Sequence, residues 1–156
     1  MDYQYWVFLH VAGVLGFVMA HGVSVAVAFR IRKERDPTRM LSLLQLSTSS
    51  ITWLYISILV LIGAGVVAGF IGDWWSQGWI WTALIAFVLT MVAMYILAST
   101  YYKRLRTIAE AMAGGSQAVS EERLAEVVSG PRAWVIAVVG FGSLVFILYL
   151  MLFKPF

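Results

Sequence analysis

The stretch "MLSLLQLSTSSITWLYISILVLIGAGVVAGFIG", Met40 to Gly72, contains no Asp, Glu, Lys or Arg. An α-helix rises about 1.5 Å per residue, so about 20 apolar residues cross a hydrocarbon core of roughly 30 Å. This stretch exceeds that length and lacks the strict alternation of a barrel strand. It predicts one membrane-crossing helix with an amphipathic first third. Working outward, Tyr3–Phe29, Trp74–Tyr102 and Ala133–Phe153 are equally free of charge. Four spanning helices follow, expected over about 4–30, 38–70, 76–112 and 131–153.

Composition agrees with that reading. The chain has 156 residues, is 62% hydrophobic and 12% charged, and its mean hydropathy is +0.87. A soluble domain of this size has too little interior for so much apolar surface. The expected fold class is therefore all-α: a polytopic, four-transmembrane-helix bundle forming one domain over 1–156. The first segment is not expected to be a removable signal peptide, because no basic residue precedes it and no small-residue cleavage pattern closes it. There is no cysteine, which excludes disulfides, thiolate-ligated metals, iron–sulfur clusters and covalent c-type haem.

Charge sets the expected orientation. Arg30, Arg32, Lys33, Arg35 and Arg39 cluster at the first connection, and Lys103, Arg104, Arg106, Arg123 and Arg132 at the third. Only Lys154 lies on the other side. The positive-inside rule puts both basic connections in the cytoplasm and both termini outside, in a bacterial inner membrane. Such a surface meets anionic lipid headgroups. Nucleic acid is the poorer partner, since no aromatic residues are interleaved with the charges beyond Tyr101 and Tyr102.

Local signals refine the elements. Asp36 is a natural N-cap with Pro37 at the first helical position. "GDWWSQGWIW", Gly72 to Trp81, reads as a turn with an aromatic interfacial belt, and Asp73 as a turn residue. Ala12, Gly16 and Ala20 on helix 1, and Gly65 and Gly69 on helix 2, allow close helix approach. "KRLRTIAEAM" extends helix 3, and "AGGSQ" breaks it. "SEERLAEVV" predicts a separate short cytoplasmic helix over about 120–128, capped by Ser120, before "SGPRAW" opens helix 4.

The only two histidines, His10 and His21, both lie on helix 1. Eleven residues at about 100° each end some 20° past three turns, so both project from one stripe, about 16 Å apart along the axis. One metal ion cannot touch both. Gly13, Phe17 and Ser24 share that stripe. Ionisable groups in lipid are expensive and mark sites by default. Three readings are open. His10 and His21 are axial ligands of haem b, with Gly13, Phe17 and Ser24 forming the cofactor sleeve and Met91 or Met94 available as a second ligand. Alternatively they relay protons or polarise a solute in a transport or channel component. In the third, they pack and hydrogen-bond within a structural subunit. Basic Arg30, Arg32 and Arg39 border the inner end of the stripe, as a membrane anchor or as propionate partners.

The leading expectation is a haem b protein carrying electrons within the membrane. Its partners would be the bilayer, a second copy or a redox subunit, and a quinone where electrons leave. No residue pattern identifies a catalytic group; were the chain an enzyme, it would be a haem-dependent membrane oxidoreductase. "WVFLHVAGVLGF", with Leu9–His10, Gly13 and Gly16, together with "FRIRKERDP", resembles the copper-resistance D-like family of small bacterial four-helix membrane proteins and their uncharacterised relatives. More distantly it is similar to the HemJ-type protoporphyrinogen oxidases. That resemblance implies haem b binding through His10; the relatives' second histidine, outside helix 1, has no counterpart here, where His21 stands instead.

Overall fold

The long uncharged segments form long helices, the structure that satisfies every backbone N–H and C=O within the segment as a hydrocarbon solvent would require. The computed structural model describes residues 2–115 and 117–156, with side chains at 2–115 and 122–156. Helix α1 covers Tyr3–Ile31, α2 Pro37–Ile71, α3 Gly78–Ala113, α4 Gln117–Ser129 and α5 Arg132–Phe153. Four helical stretches, Tyr3–Ile31, Pro37–Ile71, Gly78–Ala113 and Glu122–Phe153, are long and apolar enough to cross a membrane.

The expected separate short helix between helices 3 and 4 requires correction. Residues 117–153 form one bent helical rod, interrupted only at Gly130 and Pro131, so α4 and α5 are its two limbs. Proline has no N–H and disfavours helix for the residue before it, which bends the rod without ending it. Arg32 Nη1 donates to the Gly130 carbonyl at 3.1 Å, tying the bend to the end of α1. The α4 limb buries Leu124 and Val128, four residues apart, and leaves Glu122, Arg123 and Glu126 exposed. The cap expected of Ser120 falls outside the described side chains.

At the start of α2, Asp36 accepts from the backbone N–H of Thr38 at 2.8 Å and Arg39 at 3.4 Å. The hairpin that follows is the tightest pairing in the molecule. A Cβ built on Gly13 would lie 2.6 Å from the Leu61 nitrogen, and one on Gly16 would lie 2.5 Å from Ser57 Oγ. The glycines of α1 thus let the α2 backbone approach closely, as small residues do at membrane helix interfaces. Helices α3 and α5 complete the bundle, packed chiefly on each other, with α3 also on α2 and α5 touching α1 more lightly.

The core sits at the end of the bundle that carries the basic connections. Ile31, Met40, Leu44, Tyr101, Leu105, Ala109, Leu124 and Ile136 are buried together there. Elsewhere large apolar side chains such as Phe8, Leu15, Met19, Leu59, Val88 and Val145 face outward, the arrangement expected where the solvent is hydrocarbon. The opposite end is closed by tryptophans. Trp74 donates to the Tyr3 hydroxyl at 3.2 Å, and Trp81 to the Trp75 carbonyl at 3.0 Å. The Lys154 ammonium lies 3.8 Å from the Trp74 ring centroid, a cation–π contact. Asp73 takes a left-handed backbone, φ 55°, at this turn, a conformation Asp tolerates better than most residues.

Candidate functional site

His10 and His21, both on α1, address different neighbours. His10 faces α2: its Nδ1 lies 2.7 Å from the Leu61 carbonyl, beside Gly65. A carbonyl only accepts, so Nδ1 carries the proton and Nε2 is the free lone pair. His21 faces α5 instead. It is buried, 6% exposed, and a Cβ on Gly140 would collide with its Nε2 and lie 2.6 Å from Cε1. Gly13, Gly16 and Ser24 meet α2, at Leu61, Ser57 and the Ser47–Ser50 hydroxyls, whereas His21 meets α5.

The His21 imidazole is held on both sides by aromatic rings. Phe17 lies nearly parallel to it, at 11° and 6.3 Å between centroids, and Phe141 meets it edge-on at 5.1 Å. Its Nε2 is buried without a hydrogen-bond partner among the described residues. Buried polar atoms almost always have partners, so such an exception calls for a physical account. Beside the ring lies a cavity of about 20 Å³ between α1, α3 and α5, bordered by Phe87, Thr90, Met91, Met94 and Ser143. One water molecule needs roughly 10–15 Å³ measured this way. Thr90 and Ser143 donate their hydroxyl protons to Ala86 and Val139 of their own helices, which leaves oxygen lone pairs as acceptors.

One turn further toward the basic end, a cluster of hydroxyls crosses from α1 to α2. Ser50 Oγ donates to the Ser47 carbonyl at 2.7 Å, so its lone pairs can accept from Ser24 Oγ at 3.3 Å. Ser47 Oγ donates in turn to Ser24 Oγ at 3.2 Å. Tyr102 Oη donates to the Ser24 carbonyl at 2.5 Å. Closer still to the basic end, Arg106 Nη2 reaches Thr48 Oγ1 at 3.1 Å. Ser47 and Ser50 are buried on α2 and His21 is buried against α5; the hydroxyl cluster bonds within itself and makes no hydrogen bond to the His21 ring among the described residues.

Haem b does not fit either ring within one chain as packed here. The 20 Å³ beside His21 is far smaller than a macrocycle, and Gly140 stands against the nitrogen that would meet iron. At His10 the free Nε2 suits a ligand, because metal-bound histidines usually donate their other nitrogen to a carbonyl. Gly13, however, is filled by the Leu61 backbone and offers no sleeve there. Phe17 does border His21, and Ser24 belongs to the hydroxyl cluster.

Gly140, Ser143, Thr90 and Tyr102 escaped the sequence reading. A small-residue signal was available for the first two, since "GFGS" interrupts an otherwise bulky apolar helix. Comparison with known families, with curated proteins and with solved structures finds no match to this chain.

Proposed function

We propose that this chain is a transport component of the bacterial inner membrane in which His21 accepts and releases a proton near mid-membrane. The observation that carries the reading is the unpartnered Nε2 of His21 beside a water-sized cavity. A neutral imidazole offers one lone pair; protonation there makes an imidazolium, and its loss restores the neutral ring. Ionisable groups at this depth are costly to keep and mark ion or proton pathways. The hydroxyls of Ser24, Ser47, Ser50 and Thr48 support an approach from the basic end. The positive-inside rule puts that end, and with it the source of the proton, in the cytoplasm, with both termini outside.

The test uses the full chain in liposomes loaded with a pH-sensitive dye under an imposed potassium diffusion potential. Wild type is expected to carry protons above empty vesicles, His21→Gln to fall to the empty-vesicle rate, and His10→Gln to retain flux. Equal flux in wild type and His21→Gln overturns the reading.

A second reading, electron transfer through haem b shared between two chains, is favoured by the His10 geometry alone. Its Nδ1 is committed to Leu61 and its Nε2 is left for a ligand. Purified protein from haem-replete cells would then show a Soret band that shifts on reduction and vanishes in His10→Ala. A colourless preparation removes this reading without touching the first.

A further inference from the structure

At the basic end, α1 and α2 do not close against each other completely. An open groove of about 380 Å³ lies between the last turn of α1 and the first turns of α2, bordered by Arg30, Glu34, Arg39, Ser42, Leu43 and Leu46. We propose that this groove is a binding site for one anionic glycerophospholipid, its phosphodiester held between the guanidiniums of Arg30 and Arg39 and its acyl chains laid along Leu43 and Leu46.

The chemistry of the walls selects this occupant. Arg30 makes no side-chain hydrogen bond among the described residues, and Arg39 has only an exposed contact with Asp36 at 3.5 Å. Both guanidiniums therefore have donors to spare, and their planar forks match phosphate oxygens. Glu34 also lines the groove, but it is part of the loop's own framework. Its Oε1 accepts from the backbone N–H of Arg35 at 3.0 Å and of Asp36 at 3.1 Å. Its Oε2 and the lone pairs of Ser42 Oγ, whose proton goes to the Thr38 carbonyl, are acceptors. They suit the hydroxyls of a glycerol headgroup and repel a second bare phosphate. Leu46 is 54% exposed and leads from the headgroup level toward the hydrocarbon. A soluble phosphate would leave that apolar wall unused, which is why a lipid is the fitting source.

Native mass spectrometry of the full chain, released from detergent with equal phosphatidylglycerol and phosphatidylcholine, tests the assignment. Two guanidinium contacts predict roughly a tenfold preference or more for retained phosphatidylglycerol. Arg30→Gln/Arg39→Gln should reduce it to within about twofold. Lys33→Gln/Arg35→Gln, which removes the same charge from the same connection outside the groove, should leave it intact. Equal loss in both pairs means a diffuse basic surface and overturns the site, as does an unchanged preference in the first pair. A two-chain species that disappears with Arg30→Gln/Arg39→Gln would put a second copy in the groove and also overturn it. Circular dichroism and melting of each variant guard against unfolding as the cause.

Discussion

Replacing Gly140 by alanine tests the His21 packing from the opposite wall. The added Cβ would collide with Nε2 and lie 2.6 Å from Cε1 and 3.3 Å from Cδ2 of the imidazole. The ring cannot swing aside freely, because Phe17 and Phe141 flank it. Relief must come from moving α5 away from α1 or forcing His21 off its rotamer, and overpacking of this kind costs about 1–3 kcal/mol. Removing a mid-helix glycine returns up to about 1 kcal/mol, so the overpacking cost is reduced to a net destabilisation of about 0–2 kcal/mol. Gly142→Ala is the matched control, since its Cβ would meet nothing within 4 Å, and it should be neutral or mildly stabilising. In a His21→Ala background the penalty of Gly140→Ala should vanish, giving a coupling energy of about 1–3 kcal/mol in the double-mutant cycle. Reversible unfolding in mixed micelles reads all four states. Equal effects of Gly140→Ala and Gly142→Ala, or a penalty that survives removal of His21, would refute the contact.

Three further outcomes are expected. Along α1, Gly13→Ala meets Leu61 backbone and should cost about 1–3 kcal/mol, Gly16→Ala meets the Ser57 side chain but no backbone and should cost less, and Gly22→Ala meets nothing and should cost nothing; the same melts give the order. Tyr102→Phe removes the bond to the Ser24 carbonyl and should lower stability by about 1 kcal/mol, with the hydroxyl cluster of Ser24, Ser47 and Ser50 otherwise intact by infrared hydroxyl bands. Backbone N–H bonds from Asp36 and Arg35 hold the Glu34 carboxyl below its ordinary value of 4.5. Its small contribution is therefore fully present above that value and lost as pH falls through the folded one. The melting difference between wild type and Glu34→Gln should shrink to nothing on acidification, and a difference that persists in acid contradicts the assignment.

The sequence revealed the fold wherever lipid left a single solution. The four uncharged runs became helices within a residue or two of expectation, and Asp36–Pro37 marked the start of α2 because capping is a local effect. The break after α4 misled because Gly130–Pro131 reads as a stop in isolation. Its outcome depended on Leu124 and Val128 docking on the core, a tertiary contact that helix propensity does not carry. At the site, the spacing of His10 and His21 suggested one shared stripe, whereas His10 packs on α2 and His21 on α5. Spacing along one helix could not say which neighbours the two rings would address. The "GFGS" stretch marked Gly140 as a small residue, but its partner, the His21 ring, became visible only when α5 was in place.

Imidazole ¹⁵N resonances of the full chain in bilayers, assigned through His10→Gln and His21→Gln, give the most direct measurement of the central idea. The account predicts that the His21 signal changes protonation when pH is varied on the side of the basic connections and stays fixed when it is varied on the tryptophan side. A His21 ring indifferent to pH on both sides, or one that answers only from the tryptophan side, would contradict it.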